Sequence, residues 1–209
     1  MKCYARWTQD KESYYRDQTI LQFGDSWELI ANIILLNPGS AIPKSDESID
    51  NFLASKKLPY FVKSGENQKY YEFTIDPLMR NIINCFKNKH DSGVIKIYNL
   101  FNLKNQDSKK ALLEYKQNID SPYIHTNEED ILYDNKQVII ATGESNLIDE
   151  LKIELKKYVK LANDNSLYAL QKNENDIYAF KKAIVNKEGI VKSFHPSYTF
   201  RYGNKTLCN

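Results

Sequence analysis

Cysteine is scarce and scattered. Cys3, Cys85 and Cys208 are odd in number, far apart and without a C-x-x-C pair, which argues against a disulfide framework and against a structural zinc or iron–sulfur site. Seven glycines and six prolines are too few to mark a hinge or a low-complexity linker, and no internal repeat is visible. No apolar run approaches the roughly 18 residues of a membrane span; the longest centres on Ile33–Leu36. The segment Met1-Lys2-Cys3-Tyr4-Ala5-Arg6 lacks the apolar stretch of a signal peptide, so a cytoplasmic location and no membrane partner are expected. A dominant charge is missing too. The net charge is +2, so no field of the whole molecule advertises a polyanion, although a local basic face would suffice for DNA. His90, His125 and His195 are scattered, and G-x-G-x-x-G, Walker, H-E-x-x-H and G-x-S-x-G motifs are absent. Neither a metal nor a cofactor is expected.

What is present is a soluble-type composition, 42% hydrophobic and 27% charged over 209 residues, which suits a single domain, 1–209, with an enclosed core. Trp27–Leu36 is an apolar, β-branched run that stops at Asn37-Pro38-Gly39, where Pro and Gly punctuate a turn. Val94–Leu100 predicts a second strand after Asp91-Ser92-Gly93, Gln137–Thr142 a third ending at Gly143, and Leu167–Leu170 a short fourth. Between them, Asp76-Pro77-Leu78 opens a helix with Leu78, Ile82, Ile83 and Phe86 on one face. Ser108–Asn118 predicts another. Asn146–Leu161 carries Leu147, Leu151, Leu155 and Val159 at spacing four, with Asn146 as its N-cap. Alternating strands and helices predict an α/β fold: three layers, α-β-α, around a mainly parallel central sheet of about four strands.

In such sheets ligands sit beyond the carboxyl ends of the strands, which draws attention to Asn37-Pro38-Gly39-Ser40, to Asn99 with Asn102, and to Thr142-Gly143-Glu144-Ser145. Leu35-Leu36-Asn37-Pro38-Gly39 resembles the first motif, G-I-N-P-G, of the mismatch-specific enzymes of the uracil-DNA glycosylase superfamily. Gly93–Asn99 resembles the strand whose final Asn reads the flipped base, and His195-Pro196-Ser197 resembles the second motif, H-P-S. The chain is also similar to an uncharacterised bacterial and phage family with L-N-P-S-T-A, D-P-T, V-N-L-F, a Gly-ended strand and a terminal H-P. Those motifs stand here as Leu36–Ala41, Asp76-Pro77-Leu78, Tyr98-Asn99-Leu100-Phe101, Ala141-Thr142-Gly143 and His195-Pro196, spanning about Trp27 to Tyr202.

The resemblance implies a monofunctional DNA glycosylase that hydrolyses the N-glycosidic bond of a flipped pyrimidine and leaves an abasic site. Asn37 would orient the water and His195 would donate to the departing base, whose negative charge needs donors fixed before reaction. Pro38, Gly39, Ser40, Asn99 and Asn102 would contact the substrate. Gly143, Ser145, Ser197, Tyr198 and Arg201 would contact DNA, single- or double-stranded, with no obligate protein partner. The superfamily's efficient uracil enzymes carry a Tyr at the place of Gly39 that walls off pyrimidine C5. Gly39 therefore suggests a 5-modified base such as glucosylated hydroxymethylcytosine in phage DNA, and an antiviral role. The polar stretch Asn173–Gly189 would help to cover such a pocket.

Other readings of the same residues stand beside these. Asn37 suits a strand-end turn, His195 a surface position, and Asn99 a backbone-bonding role. Tyr60, Phe61, Tyr70, Tyr71 and Phe73 could stack on a base or simply pack a loop. The alternatives at the level of function are a uracil or mismatch repair glycosylase, a non-catalytic nucleic-acid or nucleotide binder on the same fold, and a hydrolase of free nucleosides or nucleotides using the same site.

Overall fold

A computed structural model of the chain describes residues 1–143, 147–162, 166–172 and 178–197. The strands are β1 (Lys2–Asp10), β2 (Ser13–Phe23), β3 (Leu29–Leu35), β4 (Lys69–Phe73), β5 (Gly93–Asn99), β6 (Gln137–Ile140), β7 (Leu167–Lys172) and β8 (Tyr178–Lys182). The helices are α1 (Asp50–Ser55), α2 (Pro77–Lys87), α3 (Ser108–Gln117) and α4 (Asp149–Leu161). All eight strands join one sheet in the order β4-β1-β2-β5-β3-β6-β7-β8.

This corrects the expectation of a mainly parallel sheet of about four strands. The four predicted strands are present as β5-β3-β6-β7, and their three pairings are parallel. They form only the middle of the sheet. β2 adds antiparallel to β5, β1 to β2, β4 to β1 and β8 to β7, so antiparallel pairings outnumber parallel ones by four to three. Of the added strands, β1 and β2 bury Arg6, Thr8, Arg16, Asp17, Gln18, Thr19 and Gln22, which break the apolar alternation by which a half-buried strand is read.

Side chains alternate across each strand, and this divides the core. Ala31, Ile33 and Leu35 of β3 with Ile95 and Ile97 of β5 pack under Met79, Ile82, Ile83 and Phe86 of α2. Ile34, Leu36, Tyr98, Val138 and Ile140 face the opposite way, onto Ala111 and Tyr115 of α3 and Leu151, Leu155 and Tyr158 of α4. Fully burying an Ile or Leu side chain contributes about 1.5–3 kcal/mol, so these two apolar clusters clamp the sheet from both faces. α2 begins as predicted: the Asp76 side chain accepts from Met79 N–H at 2.8 Å and Pro77 takes the first turn. α4 begins at Asp149 after Ile148, which makes no side-chain cap bond; Asn146, the predicted cap, lies outside the described residues. Among the described residues, no helix is long and apolar enough to cross a membrane.

Candidate active site

The carboxyl ends of the parallel strands lie along one rim. Beyond β3 and β5 the two chains continue side by side: Leu100 N–H donates to Leu35 O at 2.9 Å and Phe101 N–H to Leu36 O at 3.2 Å. Asn37 follows at once and is half-buried. Its Nδ2 donates to Pro38 O at 2.9 Å and to Asn105 O at 2.7 Å. Two carbonyl partners fix the amide's orientation, so Oδ1 is left as the acceptor that the cavity beside it can use. Asn99, 2% exposed, lines the same cavity. Its side chain makes no hydrogen bond to the described residues, while its backbone carbonyl accepts from Tyr158 OH at 2.9 Å.

Gly39 allows a close approach that the sequence did not reveal. A Cβ there would sit 3.2 Å from Asp76 Oδ2, tighter than an ordinary contact. The Asp76 carboxylate thus borders the space beside Gly39. Asp76 divides its two oxygens: Oδ1 caps α2 and Oδ2 faces the turn. Pro38 is buried and Ser40 is exposed; neither Ser40 nor Asn102 lines the cavity. The Asn102 carboxamide is instead committed to Tyr123 O at 3.2 Å and Thr126 Oγ1 at 3.4 Å, and its backbone oxygen accepts from Arg16 N–H at 2.9 Å.

Arg16 is the residue that sequence reasoning missed. Between Tyr4 opposite Ile20 and Arg6 opposite Asp17, β2 spends one residue more than β1. Gln18, with φ +49°, lies within this bulge. Without it, strict alternation would place Arg16 and Thr19 on opposite faces. With it, both line the α2-side cavity, and Asp17 turns away. Arg16 is 4% exposed. Nη1 donates to Ala41 O at 3.3 Å and the guanidinium lies 5.6 Å from the Phe73 ring centroid, but Nε has no hydrogen-bond partner. Among the described residues no carboxylate is within ion-pair distance. Burial lowers the Arg16 pKa, against the opposing pull of Cys3 and Asp76. Thr19 Oγ1, also buried, is likewise unpartnered. The one signal in the sequence was two adjacent charges, Arg16-Asp17, inside a run that is otherwise strand-like.

The cavity that these groups enclose has a volume of about 10 Å³. Its polar lining is Asn37, Asn99, Asp76, Arg16 and Thr19, and its apolar floor comes from β3, β5 and α2. That volume accommodates about one water. It is too small for anything the size of an aromatic ring.

No family model, curated protein or solved structure matches this chain.

His195 reaches the same rim by another route. Thr142 N–H, just past β6, donates to Ser193 Oγ at 3.1 Å, and Phe194 N–H donates to Leu170 O of β7 at 2.8 Å. Gly143, with φ +81°, lies against the histidine: a Cβ there would be 3.2 Å from His195 Cβ. Since Ile34 pairs with Ile140, Asn37 and Gly143 stand at equal register on neighbouring chains, three residues further on. The ring's Nδ1 is 3.2 Å from Ser197 N and 2.8 Å from Ser197 Oγ. A backbone N–H can only donate, so Nδ1 is the acceptor and the ring proton resides on Nε2. Ser145, Tyr198 and Arg201 lie outside the described residues. Of the aromatic set, Tyr60, Tyr70 and Phe73 are core residues, and only Phe73 touches the site, through Arg16. Among the described residues, no group of three or more His, Cys, Asp or Glu is placed to hold a metal ion.

Proposed function

We propose that this chain is a DNA glycosylase that hydrolyses the N-glycosidic bond of a pyrimidine extruded from DNA. One observation carries the reading: Asn37, Asn99 and Asp76 surround a water-sized cavity at the carboxyl rim of the parallel strands, and His195 packs against Gly143, just past the neighbouring strand β6. Hydrolysis needs a water held below the sugar C1′, an acceptor to orient it, and a donor for the charge that gathers on the departing base. Asn37 Oδ1 supplies the acceptor. The Nε2–H tautomer of His195 is the protonation state that a donor to pyrimidine O2 requires. Asn99, at the end of β5, reads the base edge at the mouth of the cavity. The motif resemblance supports the same roles and adds the DNA partner, with Tyr198 and Arg201 assigned to it by sequence only.

The test is base release from oligonucleotides carrying uracil, thymine, 5-hydroxymethylcytosine or its glucosylated form, run beside the free nucleosides. Release from at least one oligonucleotide is expected. Asn37→Ala and His195→Ala should each lower the rate by about 10²–10³-fold without unfolding the protein. Wild-type turnover in both variants, or release only from nucleosides, would overturn the reading. Salt-sensitive DNA binding with no release from any substrate would favour a non-catalytic nucleic-acid binder.

A further inference from the structure

An Asn cannot take a proton from water, and Asn37 is the only polar group of the N-P-G turn that lines the cavity. The site as read from the motifs therefore lacks a base. The structure supplies a candidate from a different element. Asp76, at the start of α2, lines the cavity, and only one of its oxygens is used as the helix cap. Its Oδ2 presses on the Gly39 turn, where any larger residue would crowd it.

A second observation points to what lies between Asp76 and Asn37. Arg16 is buried with Nε unpartnered, and Thr19 Oγ1 beside it is unpartnered as well. A buried donor with no acceptor is costly, and more so for a charged group. Ordered waters commonly satisfy such orphans with about three hydrogen bonds each. The cavity's volume of about 10 Å³ fits one water, and its lining offers the right complement. Arg16 Nε–H is a donor for the water's lone pair, while Asp76 Oδ2 and Asn37 Oδ1 are acceptors for its two protons.

We infer that the cavity holds a single ordered water and that Asp76 is the general base that takes its proton. This rests on the glycosylase reading above. In the step, one O–H bond of the water breaks and its proton moves to Asp76 Oδ2. The oxygen's electron pair forms the C1′–O bond while the C1′–N pair leaves with the base. The departing base collects the proton through solvent, and Asp76 is regenerated. Arg16 orients the water by donating its Nε–H to the water oxygen, so it is a positioning residue. The assignment also accounts for Asn at position 37: the turn needs an amide to bind Pro38 O and Asn105 O, and the carboxylate is supplied by α2.

Asp76→Asn is the decisive variant, because Asn caps a helix as well as Asp and preserves the bond from Met79 N–H. The expected result is a kcat lower by about 10²–10⁴-fold with KM and melting temperature unchanged. Formate should restore part of the rate in Asp76→Ala, a response that a purely structural Asp76 would not give. A high-resolution crystal structure should show one water bonded to Asp76 Oδ2, Asn37 Oδ1 and Arg16 Nε. Asp76→Asn at the wild-type rate, or a crystal structure with no water touching Asp76, would overturn the inference while leaving the glycosylase reading intact. A wild-type protein that releases no base from any substrate would overturn both.

Discussion

Arg6 and Arg16 sit on adjacent strands and are buried alike, 5% and 4% exposed, yet their surroundings differ in kind. Arg6 donates from Nε to Asp17 Oδ1 at 2.9 Å and from Nη2 to Asp17 Oδ2 at 2.5 Å, and reaches Asp130 Oδ2 at 3.2 Å. Burial alone would lower its pKa, but the bond and charge of Asp17, with smaller help from Asp130, carry it upward instead. Arg16, turned to the other face of the sheet by the bulge at Gln18, has no such partner and is shifted down by its burial. Two buried guanidinium groups on neighbouring strands thus represent two environments of charge. One is paired with carboxylates. The other keeps an unpartnered Nε among the described residues.

The comparison is most easily broken at Asp17. Asp17→Asn leaves Arg6, and Lys96 near it, without their main counter-charge. The expected loss is about 3–5 kcal/mol of unfolding free energy, read by urea denaturation. A loss below about 1 kcal/mol, the range of exposed pairs, would show that the Arg6 side is no better satisfied than the Arg16 side.

Arg16→Met sharpens it from the opposite direction. Replacing a buried cation that has no carboxylate partner among the described residues by an apolar chain of similar length should leave stability unchanged or raise it by about 1–4 kcal/mol. Base release should fall at the same time. Loss of stability together with unchanged turnover would make Arg16 a structural residue like Arg6.

Taken over a single pH unit, the smallest expected effect concerns Lys96, which is fully buried on the Arg6 side. Its Nζ donates to Tyr60 O at 2.5 Å and lies 5.4 Å from the Tyr98 ring centroid. Burial lowers its pKa from 10.5 to about 7, with Asp17 opposing and Arg6 reinforcing the shift. A depressed folded-state pKa means that the unfolded chain binds more protons between about 7 and 10.5. Stability should therefore rise with pH across that window, by at most about 1.4 kcal/mol per pH unit from this one group. It should be lost again as pH falls toward 7. Lys96→Met should flatten the profile in chemical denaturation series, and an unchanged slope would remove Lys96 as its cause.

Much of the middle of the molecule was legible in the sequence. The runs ending at Asn37, Asn99 and Gly143 are strands because continuous β-branched and apolar residues suit a sheet buried on both faces. Asp76-Pro77 starts a helix because the carboxylate accepts an otherwise unpaired N–H and Pro has none to lose. Those local signals were enough to place Asn37 and Asn99 at strand ends, whereas His195 is brought beside Gly143 by contacts between distant segments. The same signals were not enough to show that Asn102 is tied to its own loop, or that Asp76 borders the space beside Gly39.

The outer strands and Arg16 could not be read this way. β1 and β2 bury polar residues, and whether a buried Arg, Asp or Thr is tolerated depends on the partner that faces it. Asp17 and Asp130 reach Arg6 from positions 11 and 124 residues away in sequence, so no local pattern predicts the pairing. The bulge at Gln18 depends on the register between two strands, and it alone decides that Arg16 and Thr19 share a face. Sequence by itself determined which segments of the centre become strands and helices, because those choices are set by local side-chain pattern and turn chemistry. Tertiary structure decided which charges meet, which remain unpaired, and hence where the water-sized cavity lies, because those depend on distances between residues far apart in the chain.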